Sequence, residues 1–163
     1  MYWKRYLFSF TGRINRGKYW LYIAFALPAL VGLFIALYAY SMSFPGAYEN
    51  GGPTPWPTDP LGIAGAIAWF AALAALFVSG MAIIVKRLHD RDKAWWWIVP
   101  FYVVPNLLYG AAQYLTEVSQ PAVGETPFLL QYASLALTIW AFVELGILRG
   151  SDGANRFGPD PLA

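Results

Sequence analysis

Residues 60–93 read PLGIAGAIAWFAALAALFVSGMAIIVKRLHDRDK, and this stretch decides the fold. Residues 60–85 contain no charged side chain, whereas the eight residues that follow contain four basic and two acidic ones. A helix rises ~1.5 Å per residue, so about twenty apolar residues cross the ~30 Å hydrocarbon core of a membrane. A helix also satisfies its own backbone polar groups in lipid. The stretch therefore predicts a membrane-spanning helix that ends in a charged turn at the membrane surface.

Three further apolar runs occupy residues 19–42, 94–116 and 126–148, and Glu144 is the only charged residue within them. The composition agrees with this reading, because 58% of the residues are hydrophobic and only 12% are charged, about half the charged share of a soluble domain. We predict an all-α membrane protein in which residues 1–163 form one domain of four transmembrane helices. The first run is longer than the roughly 7–15 apolar residues of a signal peptide, so we expect the chain to retain it.

The basic residues predict the orientation of these helices. All eleven fall in three segments, residues 1–18, 86–93 and 149–163, which alternate with acidic segments that contain no lysine or arginine. Short loops rich in lysine and arginine remain in the cytoplasm. The charge pattern therefore predicts a multi-pass protein with both termini on the cytoplasmic side.

Two segments outside the predicted spans have a composition that indicates their structure. The proline- and glycine-rich segment 43–59 predicts an irregular connector on the outer side. The aromatic and basic residues of segment 2–8 predict a short anchor at the membrane interface.

Each basic segment carries a polar motif. The first contains Gly12-Arg13 and Arg16, the second reads Arg87-Leu88-His89-Asp90, and the third runs from Gly153 to Pro161. Because the turn 86–93 is short, the second and third predicted helices are antiparallel neighbours, and we expect the three motifs to meet beneath the bundle.

Arginine in these motifs supplies planar donors that suit a phosphate or a carboxylate. The cluster is interpreted either as a binding site for an anionic lipid headgroup or ligand, or as a clasp in which the motifs pair with one another. The candidate residues are Arg13, Arg16, Arg87, His89, Asp90, Asn155 and Arg156.

The three motifs, in this order, resemble a family of bacterial inner-membrane proteins grouped as domain-of-unknown-function family 805. Its members carry GR-x-x-R before the first helix, RLHD between the second and third, and G-x-N-R-[FY]-G-P-D-P near the end. The resemblance covers essentially the whole chain, but Asp92, Ala94 and Trp95 stand where the family usually has glycine and serine leading to a tryptophan pair. It implies a bacterial inner (plasma) membrane location and a four-helix core, and it implies no activity.

Among the polar residues within predicted spans, Glu144 and Asn106 are candidates for a role of their own. Glu144 precedes Arg149 by about one turn, so we expect it to pair with the basic face; a proton relay is the alternative. Asn106 follows Pro100 and Pro105, each of which removes a backbone donor and bends a helix. We expect Asn106 to form an interhelical hydrogen bond or to line a small cavity.

Several function classes are excluded. The chain has no cysteine and one histidine, which excludes disulfides and multi-histidine metal centres. It has no P-loop, dinucleotide fingerprint or G-x-S-x-G motif. We therefore expect no catalytic residue, cofactor, metal or nucleic-acid partner.

The favoured interpretation is a non-enzymatic membrane protein whose cluster binds an anionic lipid, a ligand or a partner, or clasps the bundle. The first alternative is a small transporter or channel subunit, which has to form a homo-oligomer or join another membrane protein. Its central path would be lined by Pro100, Pro105, Asn106 and Glu144. The second is a lipid-headgroup enzyme with His89 and Asp90 as acid and base.

Overall fold

The computed structural model describes residues 2–42, 60–118 and 124–162. Its α-helices are α1 (Tyr2–Phe8), α2 (Arg16–Met42), α3 (Pro60–Asp90), α4 (Val104–Val118) and α5 (Thr126–Phe142). A 3₁₀-helix (Trp95–Trp97) and a π-helical segment (Val99–Val103) precede α4, and a second π-helical segment (Val143–Ile147) continues α5. The regular secondary structure of the described residues is thus helical, as predicted, with no named strand among them. The predicted connector 43–59 lies outside the described residues.

Within the described ranges, three helices are long and apolar enough to cross a membrane. They are Arg16–Tyr40, Pro60–Asp90, and Thr126–Ile147, which joins α5 to its π-helical continuation. Their outward surfaces carry large apolar side chains such as Phe25 and Ile67, which are 71% and 65% exposed in the isolated chain. Such exposure is expected of a face that contacts lipid. The predicted spans at 19–42, 60–85 and 126–148 are confirmed as helices of this kind.

The predicted span 94–116 is helical but not regular. The chain passes from 3₁₀ to π to α geometry between Trp95 and Val118. Pro100 lies inside the π-helical segment and Pro105 follows it, and neither has an N–H to donate to the preceding turn. Local departures from α geometry are the usual response to such interruptions. Because of this interruption, the fourth crossing remains a prediction.

The best-buried part of the molecule lies at the charged end of α3. A small apolar cluster of Leu88, Phe101, Ala141 and Leu145 packs there, and the rings of Phe101 and Trp140 meet edge to face at 4.9 Å. Arg87 and Asp90 are among the largest fully buried side chains of the described chain. Buried charges need partners, and the surrounding segments supply them.

The tail, residues 149–162, folds back beneath the helices instead of extending away. Asn155 and Gly158 exchange two backbone hydrogen bonds of 3.1 and 3.0 Å, which form a tight reversal. Gly153 and Gly158 have φ angles of +70° and +142°, a region that glycine enters without steric strain. The reversal presents the carbonyl oxygens of Gly153 and Gly158 to the guanidinium group of Arg13.

Candidate functional site

Asp90, the last residue of α3, lies at the centre of the polar cluster. Its Oδ1 accepts hydrogen bonds from Nε and Nη2 of Arg13 at 3.2 and 3.1 Å. Its Oδ2 accepts a hydrogen bond from Nη1 of Arg87. The three side chains are at most 3% exposed. One buried carboxylate therefore joins the segment before α2 to the end of α3.

Arg13 extends this network to the tail. Its Nη1 donates to the carbonyl oxygens of Gly153 and Gly158 at 2.6 and 3.3 Å, and its Nη2 donates to that of Ser151 at 2.7 Å. All three guanidinium nitrogens thus have acceptors. Ser151 in turn donates its backbone N–H to the carbonyl oxygen of Asp90 at 2.7 Å. We call the network of Arg13, Arg87, Asp90 and the tail residues 151–158 the clasp.

Arg87 connects the clasp to the end of the last helical segment. Its Nε donates to the carbonyl oxygen of Leu145 at 2.7 Å, and its Nη2 donates to that of Leu148. Trp20 of α2 donates from Nε1 to the carbonyl oxygen of Gly146 at 3.0 Å. The last carbonyls of a helix lack intrahelical partners, and a cation there also complements the helix dipole. Side chains from α2 and α3 therefore cap the end of the last segment.

His89 provides a second attachment between α3 and the tail. Its Nδ1 lies 3.1 Å from the carbonyl oxygen of Gly12, and since a carbonyl can only accept, Nδ1 carries the proton. Its ring stacks on Phe157 with centroids 3.9 Å apart and planes 4° from parallel. The amide of Asn155 donates to the carbonyl oxygen of His89 at 2.9 Å. The imidazole thus contacts both the first and the third motif.

Glu144 pairs with the turn that follows α3. Its Oε1 lies 3.0 Å from Nε of Arg91 and 3.4 Å from Nζ of Lys93, and the residue is 5% exposed. Arg91 also donates from Nη1 to the carbonyl oxygen of Arg149. The expected pairing of Glu144 with the basic face is therefore present in the structure.

The sequence matches a known family over almost its whole length. Residues 7–159 match the family described as "Protein of unknown function (DUF805)". The chain belongs to this family. The resemblance inferred from the three motifs is thereby confirmed.

Two curated relatives of this DUF805 protein are "Uncharacterized protein YiiR" of Escherichia coli strain K12 and of Escherichia coli O157:H7. Each is 27% identical over 157 residues, which cover 96% of this chain and 88% of the relative. No solved structure matches the chain.

The seven candidate residues of the DUF805 chain do not contribute equally. Five are interlocked at the end of α3: Arg13, Arg87, His89, Asp90 and Asn155. Arg16 lies at the periphery, where its Nη1 donates to the carbonyl oxygen of Ile147 at 3.3 Å. Arg156 pairs with Asp92 at 3.1 Å, but both side chains are more than half exposed.

Asn106 differs from the expectation. It is exposed, and its Nδ2 donates to the carbonyl oxygen of Tyr102 at 2.6 Å within the same helical stretch. The predicted interhelical bond is therefore not what the structure has, because a short polar side chain readily reaches a backbone carbonyl one turn earlier. Asn106 is thus exposed and bonded within its own helical stretch, whereas Glu144 is buried and paired with Arg91.

Sequence reasoning missed three residues of the DUF805 site. Ser151 closes the clasp onto the backbone of Asp90, Trp20 caps the last helical segment, and Gly150 lies directly against the Asp90 carboxylate. No pattern in the sequence distinguishes Ser151 or Gly150 from ordinary tail residues. Trp20 lies just inside the first predicted span, and that position does not by itself indicate a capping role. Within the described ranges no group of His, Asp and Glu residues is arranged to hold a metal ion.

Proposed function

We propose that this chain is a non-enzymatic, four-span protein of the bacterial inner membrane, with both termini in the cytoplasm, whose cytoplasmic motifs clasp the helix ends together. The observation that carries the proposal is the buried network of Arg13, Arg87 and Asp90, which joins three segments far apart in sequence. Helices surrounded by lipid gain no hydrophobic driving force to associate. A polar network at their cytoplasmic ends therefore helps to hold them together.

The donors of the clasp are already used. The side chains of Arg13 and Arg87 are at most 1% exposed, and Arg13 donates from every guanidinium nitrogen to Asp90 or the tail. An anion entering this cluster has to displace a buried carboxylate and several carbonyls. Of the two interpretations of the cluster, the contacts therefore favour the clasp.

The surroundings of His89 support a non-enzymatic role. A general acid or base has to reach a substrate proton, but the His89 ring is stacked on Phe157 and its Nδ1 faces a backbone carbonyl. Asp90 is held by two arginines and makes no bond to the imidazole among the contacts of the described chain. The two residues therefore do not form a dyad.

Chain direction supports the fourth crossing. The start of α2, the end of α3 and the end of the Thr126–Ile147 helix meet at the clasp. If α3 and the last helix both cross the membrane and both end at the clasp, the chain has to return across it between Asp90 and Thr126. Residues 95–118 form a continuous helical stretch in that interval. Four crossings and the bias of lysine and arginine toward one face then support the proposal that both termini lie in the cytoplasm.

Single cysteines test this topology, because the chain contains none of its own. Lys4→Cys, Glu125→Cys and Ala154→Cys replace exposed residues and are treated in intact cells with a membrane-impermeant maleimide. We expect labelling of Glu125→Cys in whole cells, and labelling of the other two only after the membrane is opened. Labelling of Lys4→Cys or Ala154→Cys from outside, or protection of Glu125→Cys, contradicts the proposal.

A further inference from the structure

Lys86 is a buried cation outside the clasp. The residue is 3% exposed, and its Nζ donates to the carbonyl oxygen of Tyr6 and lies 3.5 Å from that of Arg5. No carboxylate lies within ion-pair distance of it among residues 2–42, 60–118 and 124–162. Its neighbour Arg87, by contrast, is paired with Asp90. The two backbone carbonyls place the Lys86 ammonium but do not neutralise its charge.

A cavity of about 300 Å³ opens beside this ammonium, between α1, the segment that follows it and the end of α3. We call it the N-terminal cavity; the basic and hydroxyl side chains that line it and are outside the clasp are Arg5, Tyr6, Ser9, Thr11, Lys18 and Lys86. Its described lining includes no acid. Since one water occupies ~30 Å³ of liquid, the N-terminal cavity has room for a phosphate group and part of what it is esterified to.

The walls of the N-terminal cavity are built by specific contacts. The Tyr6 hydroxyl donates to the carbonyl oxygen of Lys18 at 2.6 Å, which ties α1 to the start of α2. Burial raises the pKa of this hydroxyl, so it keeps its proton and remains a donor. The backbone N–H of Ile14 donates to the carbonyl oxygen of Lys86 at 3.4 Å. The cavity is therefore part of the fold rather than a gap between loose segments.

Unused hydrogen-bond donors face the N-terminal cavity. An ammonium group carries three donors, and two carbonyls accept from Lys86, which leaves one. The hydroxyls of Ser9 and Thr11 are 2.9 Å apart, and only one of them donates to the other, which leaves a hydroxyl hydrogen as well. Arg5 and Lys18 are exposed at the rim. Three cationic side chains and a hydroxyl hydrogen thus lie around one cavity, with no acid among its described lining residues.

We propose that the N-terminal cavity binds a phosphate group, with Arg5, Lys18 and Lys86 supplying charge and the Ser9–Thr11 pair supplying a hydroxyl donor. Both the headgroup of an anionic phospholipid and a soluble phosphate ester offer this chemistry. The lipid has the advantage of position, because α1 exposes Trp3 and Phe8 beside the basic residues, as interfacial helices do. Basic pockets at the cytoplasmic surface commonly hold such headgroups. The proposal goes beyond the clasp, because it uses different cations.

Binding of short-chain phosphatidylglycerol to the purified full-length protein, titrated by native mass spectrometry in an uncharged detergent, tests the proposal. Arg5→Gln combined with Lys18→Gln leaves buried Lys86 in place, so folding is retained. A basic residue near a lipid surface contributes about fivefold in affinity, so we expect the pair to weaken binding about 25-fold. The matched control is Lys4→Gln with Arg149→Gln, which removes the same charge from exposed residues outside the cavity and is expected to weaken binding less than about fivefold.

A second variant keeps every charge. Ser9→Ala combined with Thr11→Val removes the hydroxyls, and because a hydrogen bond to a charged group is worth about tenfold or more in affinity, binding should weaken by about that factor. If glycerol phosphate displaces the lipid at a comparable concentration, the ligand is a soluble phosphate ester. If the lipid stays bound in the presence of glycerol phosphate, the ligand is the phospholipid headgroup. Absence of saturable binding by either probe, or equal losses in the cavity pair and the control pair, overturns the proposal. None of these variants changes a residue of the clasp. Failure of the phosphate proposal therefore does not affect the proposed function, which has separate tests.

Discussion

The carboxylate of Asp90 fills the space beside Gly150 that a Cβ atom would occupy. Its two oxygens and its carboxyl carbon all lie within 3 Å of the position of that atom. Because Asp90 is held on both oxygens by buried arginines, its side chain has little freedom to withdraw. The close approach of the tail to the end of α3 therefore depends on a residue without a side chain at position 150.

Gly150→Ala should destabilise the protein by about 1–3 kcal/mol, the usual range for an extra methyl group in a packed site. Thermal unfolding of the purified protein in detergent measures the effect as a lower midpoint. Gly65→Ala is the control, since a Cβ at Gly65 of α3 meets no atom within 4 Å and alanine favours a helix. Equal unfolding midpoints for Gly150→Ala and Gly65→Ala would contradict the close approach of Asp90 to Gly150.

Asp90→Asn should be more damaging, because it leaves two buried guanidinium groups without their counter-charge. Breaking a buried ion pair in this way costs about 3–5 kcal/mol. Asp92→Asn provides the matched control two residues away: its pair with Arg156 is exposed and is worth less than about 1 kcal/mol. Equal unfolding midpoints for Asp90→Asn and Asp92→Asn would contradict a stabilising role for the clasp.

Glu144→Gln removes the negative partner of Arg91 and Lys93, whose side chains are about one-quarter exposed. Solvent screening reduces the effect, so we expect a loss of about 1–2 kcal/mol, seen as a lower unfolding midpoint. Glu117→Gln, at an exposed carboxylate of α4, should leave the midpoint unchanged. If Glu144→Gln matches this control in stability, structural pairing is not the role of Glu144.

Phe157→Ala removes the ring that stacks on His89 and should loosen the tail. Losing an aromatic contact of about 1 kcal/mol raises the population of locally opened tail about fivefold. Limited trypsin digestion after Arg149 reports that opening as faster cleavage. Leu162→Ala, at a residue 78% exposed, should cleave at the unchanged rate, and equal rates for both variants would show that the stack does not hold the tail.

Much of this architecture follows from the sequence. Three of the four predicted spans are helices apolar enough to cross a membrane, and the motif positions indicated which segments meet. Pro100 and Pro105 predicted a bend in segment 94–116, but the 3₁₀ and π geometry of this segment was beyond such reasoning. Apolar length predicts that a segment is helical in lipid, whereas the effect of Pro100 and Pro105 depends on how neighbouring helices accommodate their missing donors.

By itself, the sequence determined where the chain is apolar and where its charge collects, because both are properties of consecutive residues. Tertiary structure alone decided which cation finds which partner. Lys86 and Arg87 are adjacent, yet side chains one residue apart on a helix point about 100° apart. Arg87 therefore meets Asp90 and the end of the last helix, while Lys86 meets the carbonyls of α1 and the open N-terminal cavity.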